Sequence, residues 1–109
     1  MQTISENYDG KTVNITVGEV IELRLKENPT TGFRWQIHRD GAPACRITQD
    51  FIEPPAMVSP PVPGQGGTHV WRIESVQIGA CDVALTYTRA WEANRPPAMS
   101  FGVHIQVLG

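Results

Sequence analysis

Three segments of this chain carry residue types suited to contact another protein surface. In the first, residues 28–33, Pro29 fixes its own φ and favours an extended conformation at Asn28. Gly32 can adopt a positive φ, and Thr30 and Thr31 place stiff, small side chains at the tip. This composition favours a rigid contact surface, and an ordinary turn is equally consistent with these residues alone.

The other two segments offer backbone and side-chain contacts. Gly64, Gly66 and Gly67 permit either a flat backbone that another chain can approach closely or a flexible hairpin turn. Trp91 lies near Arg89, and tryptophan and arginine are enriched at interface hot spots. Trp91 could instead fold back onto the core. The chemistry that these segments offer is non-covalent contact.

Residue types of catalytic and metal sites occur, but without the arrangement that such sites need. His38, His69 and His104 occupy outward or edge positions of predicted strands. Cys45 and Cys81 have no histidine beside them, and no Cys-x2-Cys pair typical of zinc sites exists. The glycine-rich segment lacks the Lys-Ser/Thr of a phosphate-binding loop. We therefore expect no enzyme activity, cofactor or metal; an enzyme using either cysteine is the weakest hypothesis.

Length and charge further restrict the classes of protein to which this chain could belong. The chain has 109 residues, which favours a single domain over residues 1–109. The net charge is −2 without a basic run, which argues against nucleic-acid binding, and no apolar run of about 18 residues predicts a membrane span. The polar start is compatible with a cytoplasmic protein, or with a periplasmic or secreted one whose signal peptide was removed. Whether Cys45 and Cys81 form a disulfide stays open.

Alternation of apolar and polar residues with period two dominates the chain and predicts strands. The alternating apolar residues are Val13, Ile15, Val17, Ile21, Leu23, Leu25, Phe33, Trp35, Ile37, Trp71, Ile73, Val83, Leu85, Tyr87, Met99, Phe101, Val103, Ile105 and Val107. A weaker stretch, residues 46–52, completes seven strands, and Trp35 and Trp71 fall in phase with the core. The pattern predicts an all-β, immunoglobulin-like antiparallel β-sandwich of about seven strands, with a small barrel as the alternative.

Strand parity places the three segments at one end of this sandwich. If successive strands run in opposite directions, the connections after the second, fourth and sixth strands leave from the same end. Those connections contain residues 26–32, 60–68 and 89–97. Sandwiches carry their binding surfaces on such loop clusters, so we expect one composite surface.

The segments resemble, in order and spacing, the loop signatures of the chagasin family, inhibitors of papain-like cysteine peptidases. The matching stretches are Asn-Pro-Thr-Thr-Gly-Phe (28–33), Gly-Gln-Gly-Gly-Thr (64–68) and Leu-Thr-Tyr-Thr-Arg-Ala-Trp (85–91). The resemblance spans nearly the whole chain and implies one chagasin-like domain that inhibits cathepsin L-like peptidases reversibly and competitively as a monomer. The alternative is an immunoglobulin-like adhesion or assembly module that binds through its sheet edges.

The resemblance also implies a role for each segment. Thr31 would come nearest to the catalytic cysteine and histidine, the second segment would follow the non-primed side of the cleft, and Arg89 and Trp91 would pack on the primed side. The implied peptidase-binding residues are Asn28, Pro29, Thr30, Thr31, Gly32, Phe33, Val62, Pro63, Gly64, Gln65, Gly66, Gly67, Thr68, Arg89, Ala90 and Trp91. Two features depart from the family: Ala90 replaces a proline, and Val62-Pro63 offers less apolar volume than bulkier aliphatic residues. Both bear on affinity and enzyme preference.

Overall fold

The computed structural model describes residues 1–28, 32–53, 67–89 and 96–109, and every structural statement concerns these residues. A short 3-10 turn, Glu6–Tyr8, lies between the first two strands. The strands of the described ranges are β1 (Gln2–Ile4), β2 (Thr12–Thr16), β3 (Val20–Glu27), β4 (Phe33–Asp40), β5 (Cys45–Glu53), β6 (Gly67–Ser75), β7 (Gly79–Arg89) and β8 (Met99–Leu108). Within the same ranges, no helix is long and apolar enough to cross a lipid bilayer.

The strands form two four-stranded sheets with the orders β1-β3-β6-β5 and β2-β8-β7-β4. The predicted all-β sandwich is confirmed, but the sheets are mixed rather than purely antiparallel. β1 runs parallel to β3, and β2 runs parallel to β8. The β1–β3 pair is parallel because the chain crosses to the second sheet as β2 and then returns to the first sheet as β3, in the direction of β1.

All seven predicted strands are present, and most extend further than the alternation indicated. The weak stretch at residues 46–52 lies within β5, an edge strand of the first sheet. β1 was not predicted, because three residues are too few to establish a period. Its pairing with β3 supplies the backbone hydrogen bonds that hold it in place.

The core lies between the sheets and is built mainly from the predicted apolar faces. Trp35 and Trp71 are both buried, as expected. The prediction was wrong for Ile37, which is 37% exposed beside a bulge in edge strand β4. It was also wrong for Val17, which lies in the turn after β2, and for Met99, the first residue of β8; both are exposed.

Candidate functional site

The strands that border the three predicted loops end together, as strand parity predicted. In the first sheet, the last residue of β3, Glu27, pairs with the first residue of β6, Gly67. The end of β5 pairs with the same start of β6. In the second sheet, Phe33 at the start of β4 pairs with Arg89 at the end of β7. We call this end of the sandwich, defined by Glu27, Phe33, Gly67 and Arg89, the loop end.

Six of the predicted contact residues lie in the described ranges. Their side chains or backbones are half-buried at the loop end: Asn28, Gly32, Phe33, Gly67, Thr68 and Arg89. Gly32 has φ +81°, the positive value expected from its sequence context. The remaining predicted contacts lie outside the described residues: Pro29, Thr30, Thr31, Val62, Pro63, Gly64, Gln65, Gly66, Ala90 and Trp91.

The two ends of the first loop are held together by hydrogen bonds to tryptophan and tyrosine side chains. The indole N–H of Trp35 donates to the carbonyl of Lys26 at 2.9 Å. The N–H of Asn28 donates to the hydroxyl oxygen of Tyr87, also at 2.9 Å. Because Tyr87 belongs to β7, the second contact connects the first loop to the strand that leads into the third.

A stack of aromatic rings and one cation joins the first and third loops. The guanidinium of Arg89 lies 4.2 Å from the ring centroid of Phe33. The Phe33 and Tyr87 rings stack at 5.3 Å, and Tyr87 lies 4.9 Å from the Trp35 ring. Such contacts restrict side-chain motion in addition to burying apolar area. The bases of the two loops therefore form one packed unit.

Three polar side chains that were not predicted as site residues meet near the strand ends that border the first and second loops. His69, expected at an outward or edge position, is buried, and its Nδ1 lies 3.0 Å from Oε2 of Glu27. Its Nε2 contacts Oδ1 of Asp50, and its ring stacks on Trp71 at 3.9 Å. We call Glu27, His69 and Asp50 the carboxylate–histidine cluster. In the part of the chain that the structure describes, no group of three histidine, cysteine or acidic side chains is arranged to hold a metal ion.

The two cysteines lie apart from the cluster, between the sheets. Cys45 at the start of β5 and Cys81 in β7 are free thiols, with their Sγ atoms 3.6 Å apart. Burial is the main cause that raises the pKa of Cys45 to about 12, and the neighbouring thiol of Cys81 contributes in the same direction. Burial also raises the pKa of Cys81. A nucleophilic cysteine typically has the opposite shift, a lowered pKa.

We expect both thiols to be unreactive toward a thiol-specific disulfide reagent at pH 8 while the reduced protein is folded. Thiolate is the attacking species, and burial disfavours it as well as blocking access. Titration in denaturant should then release two equivalents. Rapid release of either equivalent from folded protein would contradict this prediction.

The chain is similar to known peptidase inhibitors. A family model described as chagasin family peptidase inhibitor I42 matches residues 14–105. Chagasin from Trypanosoma cruzi is 28% identical over 106 residues, which cover 94% of each chain. The crystal structure of the cysteine protease inhibitor EhICP2 from Entamoeba histolytica superposes with a TM-score of 0.82 at 21% identity, covering 98% of this chain and 94% of that one. PbICP-C, solved in complex with falcipain-2, has the same fold, with a TM-score of 0.63 at 16% identity and 98% of each chain covered.

Proposed function

This chain belongs to the chagasin family of peptidase inhibitors, and we propose that it inhibits papain-family cysteine peptidases reversibly and competitively. The observation that carries the proposal is the convergence of the strand ends that border all three loops. A shallow depression at the loop end is lined by residues from each of the three borders: Lys26, Glu27, Asn28, Gly67, Thr68, Tyr87 and Met99. A single cleft could therefore receive all three loops together.

The packing at the loop end supports a rigid mode of binding. An inhibitor that is ordered before it binds loses less conformational entropy in the complex. The hydrogen bonds from Asn28 and Trp35 and the stack of Arg89, Phe33 and Tyr87 provide such order at the bases of the first and third loops. We propose that Thr31 enters the catalytic centre, the Gly64–Thr68 segment follows the non-primed side, and Trp91 packs on the primed side.

Inhibition in this proposal is occlusion, and the inhibitor contributes no bond-making group. Substrate and inhibitor compete for the same cleft, so apparent affinity falls as substrate concentration rises. The raised pKa values of Cys45 and Cys81 argue against a thiolate role. We therefore propose that the chain is not an enzyme.

We expect stoichiometric protein to inhibit papain or cathepsin L competitively, and the double substitution Thr31→Ala and Trp91→Ala to weaken inhibition. Interface hot spots cost about 2 kcal/mol or more, which corresponds to about 30-fold in Ki. The melting temperature should change little, because these residues are proposed to face the peptidase. Steady-state inhibition and thermal unfolding measure the two quantities.

Ile78 provides a matched control for this double variant. It is 64% exposed and lies between β6 and β7, at the end of the sandwich opposite the loop end. Ile78→Ala should leave Ki unchanged. Failure of the wild-type protein to inhibit any papain-family enzyme would refute the proposed function, and a large fall in melting temperature for the double variant would assign its residues to the core.

A further inference from the structure

Glu27 is a buried charged residue placed where the first loop begins. Its residue exposure is 1%, and its side chain is fully covered. A buried carboxylate is stable only when its oxygens have partners. Oε1 accepts from the backbone N–H of Trp35 at 2.8 Å and lies 3.6 Å from Nε of Arg34, while Oε2 contacts Nδ1 of His69.

Glu27, its partners Trp35 and His69, and the His69 partner Asp50 together represent every strand that borders the first two loops. Glu27 is the last residue of β3, and Trp35 lies in β4, so the carboxylate connects both ends of the first loop across the two sheets. His69 lies near the start of β6, and Asp50 lies near the end of β5. The carboxylate–histidine cluster therefore also connects both ends of the second loop.

His69 bridges the two carboxylates of the cluster. Its Nδ1 contacts Oε2 of Glu27, and its Nε2 contacts Oδ1 of Asp50. Removing the Glu27 carboxylate would remove its contacts with His69 and Arg34 and leave the buried N–H of Trp35 without its acceptor.

We propose that Glu27 is a positioning residue for peptidase binding, whose carboxylate fixes the separation between the bases of the first and second loops. It acts through Trp35 and His69 and does not itself touch the peptidase, because it is buried. This inference rests on the proposed function. Without the carboxylate, the loop bases gain freedom that binding must remove again, and the complex dissociates faster.

The test compares Glu27→Ala and Glu27→Gln in association and dissociation measurements with papain. Glu27→Ala should raise koff about tenfold, the equivalent of one lost buried hydrogen bond, and change kon by less than about threefold. Glutamine keeps an oxygen for the Trp35 N–H and an amide for His69, so Glu27→Gln should restore koff to within about threefold of wild type.

Ser75→Ala controls for loss of stability without loss of positioning. Ser75 is buried in β6, the strand that contains His69, and its Oγ lies 2.9 Å from the carbonyl oxygens of Thr16 and Glu19, far from the loop end. This variant should melt at a lower temperature and keep the wild-type koff. If it raises koff as much as Glu27→Ala does, general destabilisation explains the effect and the inference fails.

The remaining outcomes separate this inference from the proposed function. If the wild-type protein inhibits no papain-family enzyme, both the proposed function and the positioning role of Glu27 are overturned. Inhibition by wild type with an unchanged koff in Glu27→Ala overturns the positioning role alone. If Glu27→Ala does not fold, Asp50→Ala decides: its side chain is half exposed, and removing this outer partner of His69 should raise koff about threefold. A wild-type koff in Asp50→Ala would then overturn the inference.

Discussion

Replacing Trp71 by alanine will lower the free energy of unfolding by about 3 to 5 kcal/mol, the range for large aromatic side chains deleted from a core. Trp71 is 1% exposed, and from β6 it pairs with Leu23 in β3 and with Asp50 in β5. Its ring also stacks on His69 with an interplanar angle of 5°. The substitution would leave a cavity directly beneath the carboxylate–histidine cluster.

This loss is a large fraction of the free energy of unfolding of a typical domain, which is about 5 to 15 kcal/mol. Urea unfolding followed by far-ultraviolet circular dichroism measures it without depending on the fluorescence of the missing tryptophan. Phe51→Ala is the control, because Phe51 is another aromatic residue of the first sheet but is exposed at its edge; we expect its effect to stay within about 0.5 kcal/mol. A loss below about 1 kcal/mol for Trp71→Ala would show that the core refills the space.

The sandwich was predictable because its strands alternate so regularly. Val103, Ile105 and Val107 are buried, and the polar residues between them lie on the other face of β8. Each such strand gives a local pattern that needs no knowledge of its partner. Pairing is different: the parallel partnership of β2 with β8 joins distant parts of the chain, and no local pattern indicates it.

The carboxylate–histidine cluster was missed for a related reason. Glu27 continues the buried phase of Leu23 and Leu25, and His69 precedes Trp71 by two positions. Their phase therefore indicated the core, whereas their residue types indicated solvent. Burial becomes favourable only when the two side chains meet, and they are 42 residues apart in sequence. Glu27 and His69 could have been recognised in the sequence as ionisable residues that fall in phase with the buried face near the end of a strand.

The loops themselves were predicted from residue types, whereas the contacts at their bases were not. Proline, glycine and threonine in residues 28–33 indicated a stiff loop, and Gly32 has the positive φ that this implies. Tyr87 was predicted only as an apolar core residue. Its hydroxyl accepts a hydrogen bond from Asn28, a contact that depends on how β7 lies beside the start of the first loop.

The substitution Gly67→Ala is expected to weaken stability and inhibition together. A Cβ on Gly67 would lie 2.6 Å from the carbonyl oxygen of Glu53 and 3.3 Å from Cγ2 of Ile52. The carbonyl belongs to the backbone of β5, so no side-chain rotation relieves the overlap, and the two strands must separate where they border the second loop. Overpacking of this kind costs about 1 to 3 kcal/mol.

Inhibition should weaken about tenfold, because the displaced start of β6 changes the base from which the second loop extends. Gly67 also pairs with Glu27, so the change reaches the first loop. Gly102 provides the control, since it lies within β8 and a Cβ there would meet nothing within 4 Å. Gly102→Ala should be neutral or stabilise the protein by up to about 1 kcal/mol, with an unchanged Ki. Thermal unfolding and papain inhibition measure both variants.

The comparison decides between two reasons for a glycine at position 67. If glycine were needed only so that a peptidase backbone could approach, Gly67→Ala would weaken inhibition and leave the melting temperature at the wild-type value. The 2.6 Å approach of the Glu53 carbonyl is intramolecular and exists without a peptidase. We therefore expect Gly67→Ala to lower the melting temperature of the free inhibitor as well as to weaken inhibition. On this argument, the last glycine of the Gly-Gln-Gly-Gly stretch serves first to bring β5 and β6 together beneath the second loop.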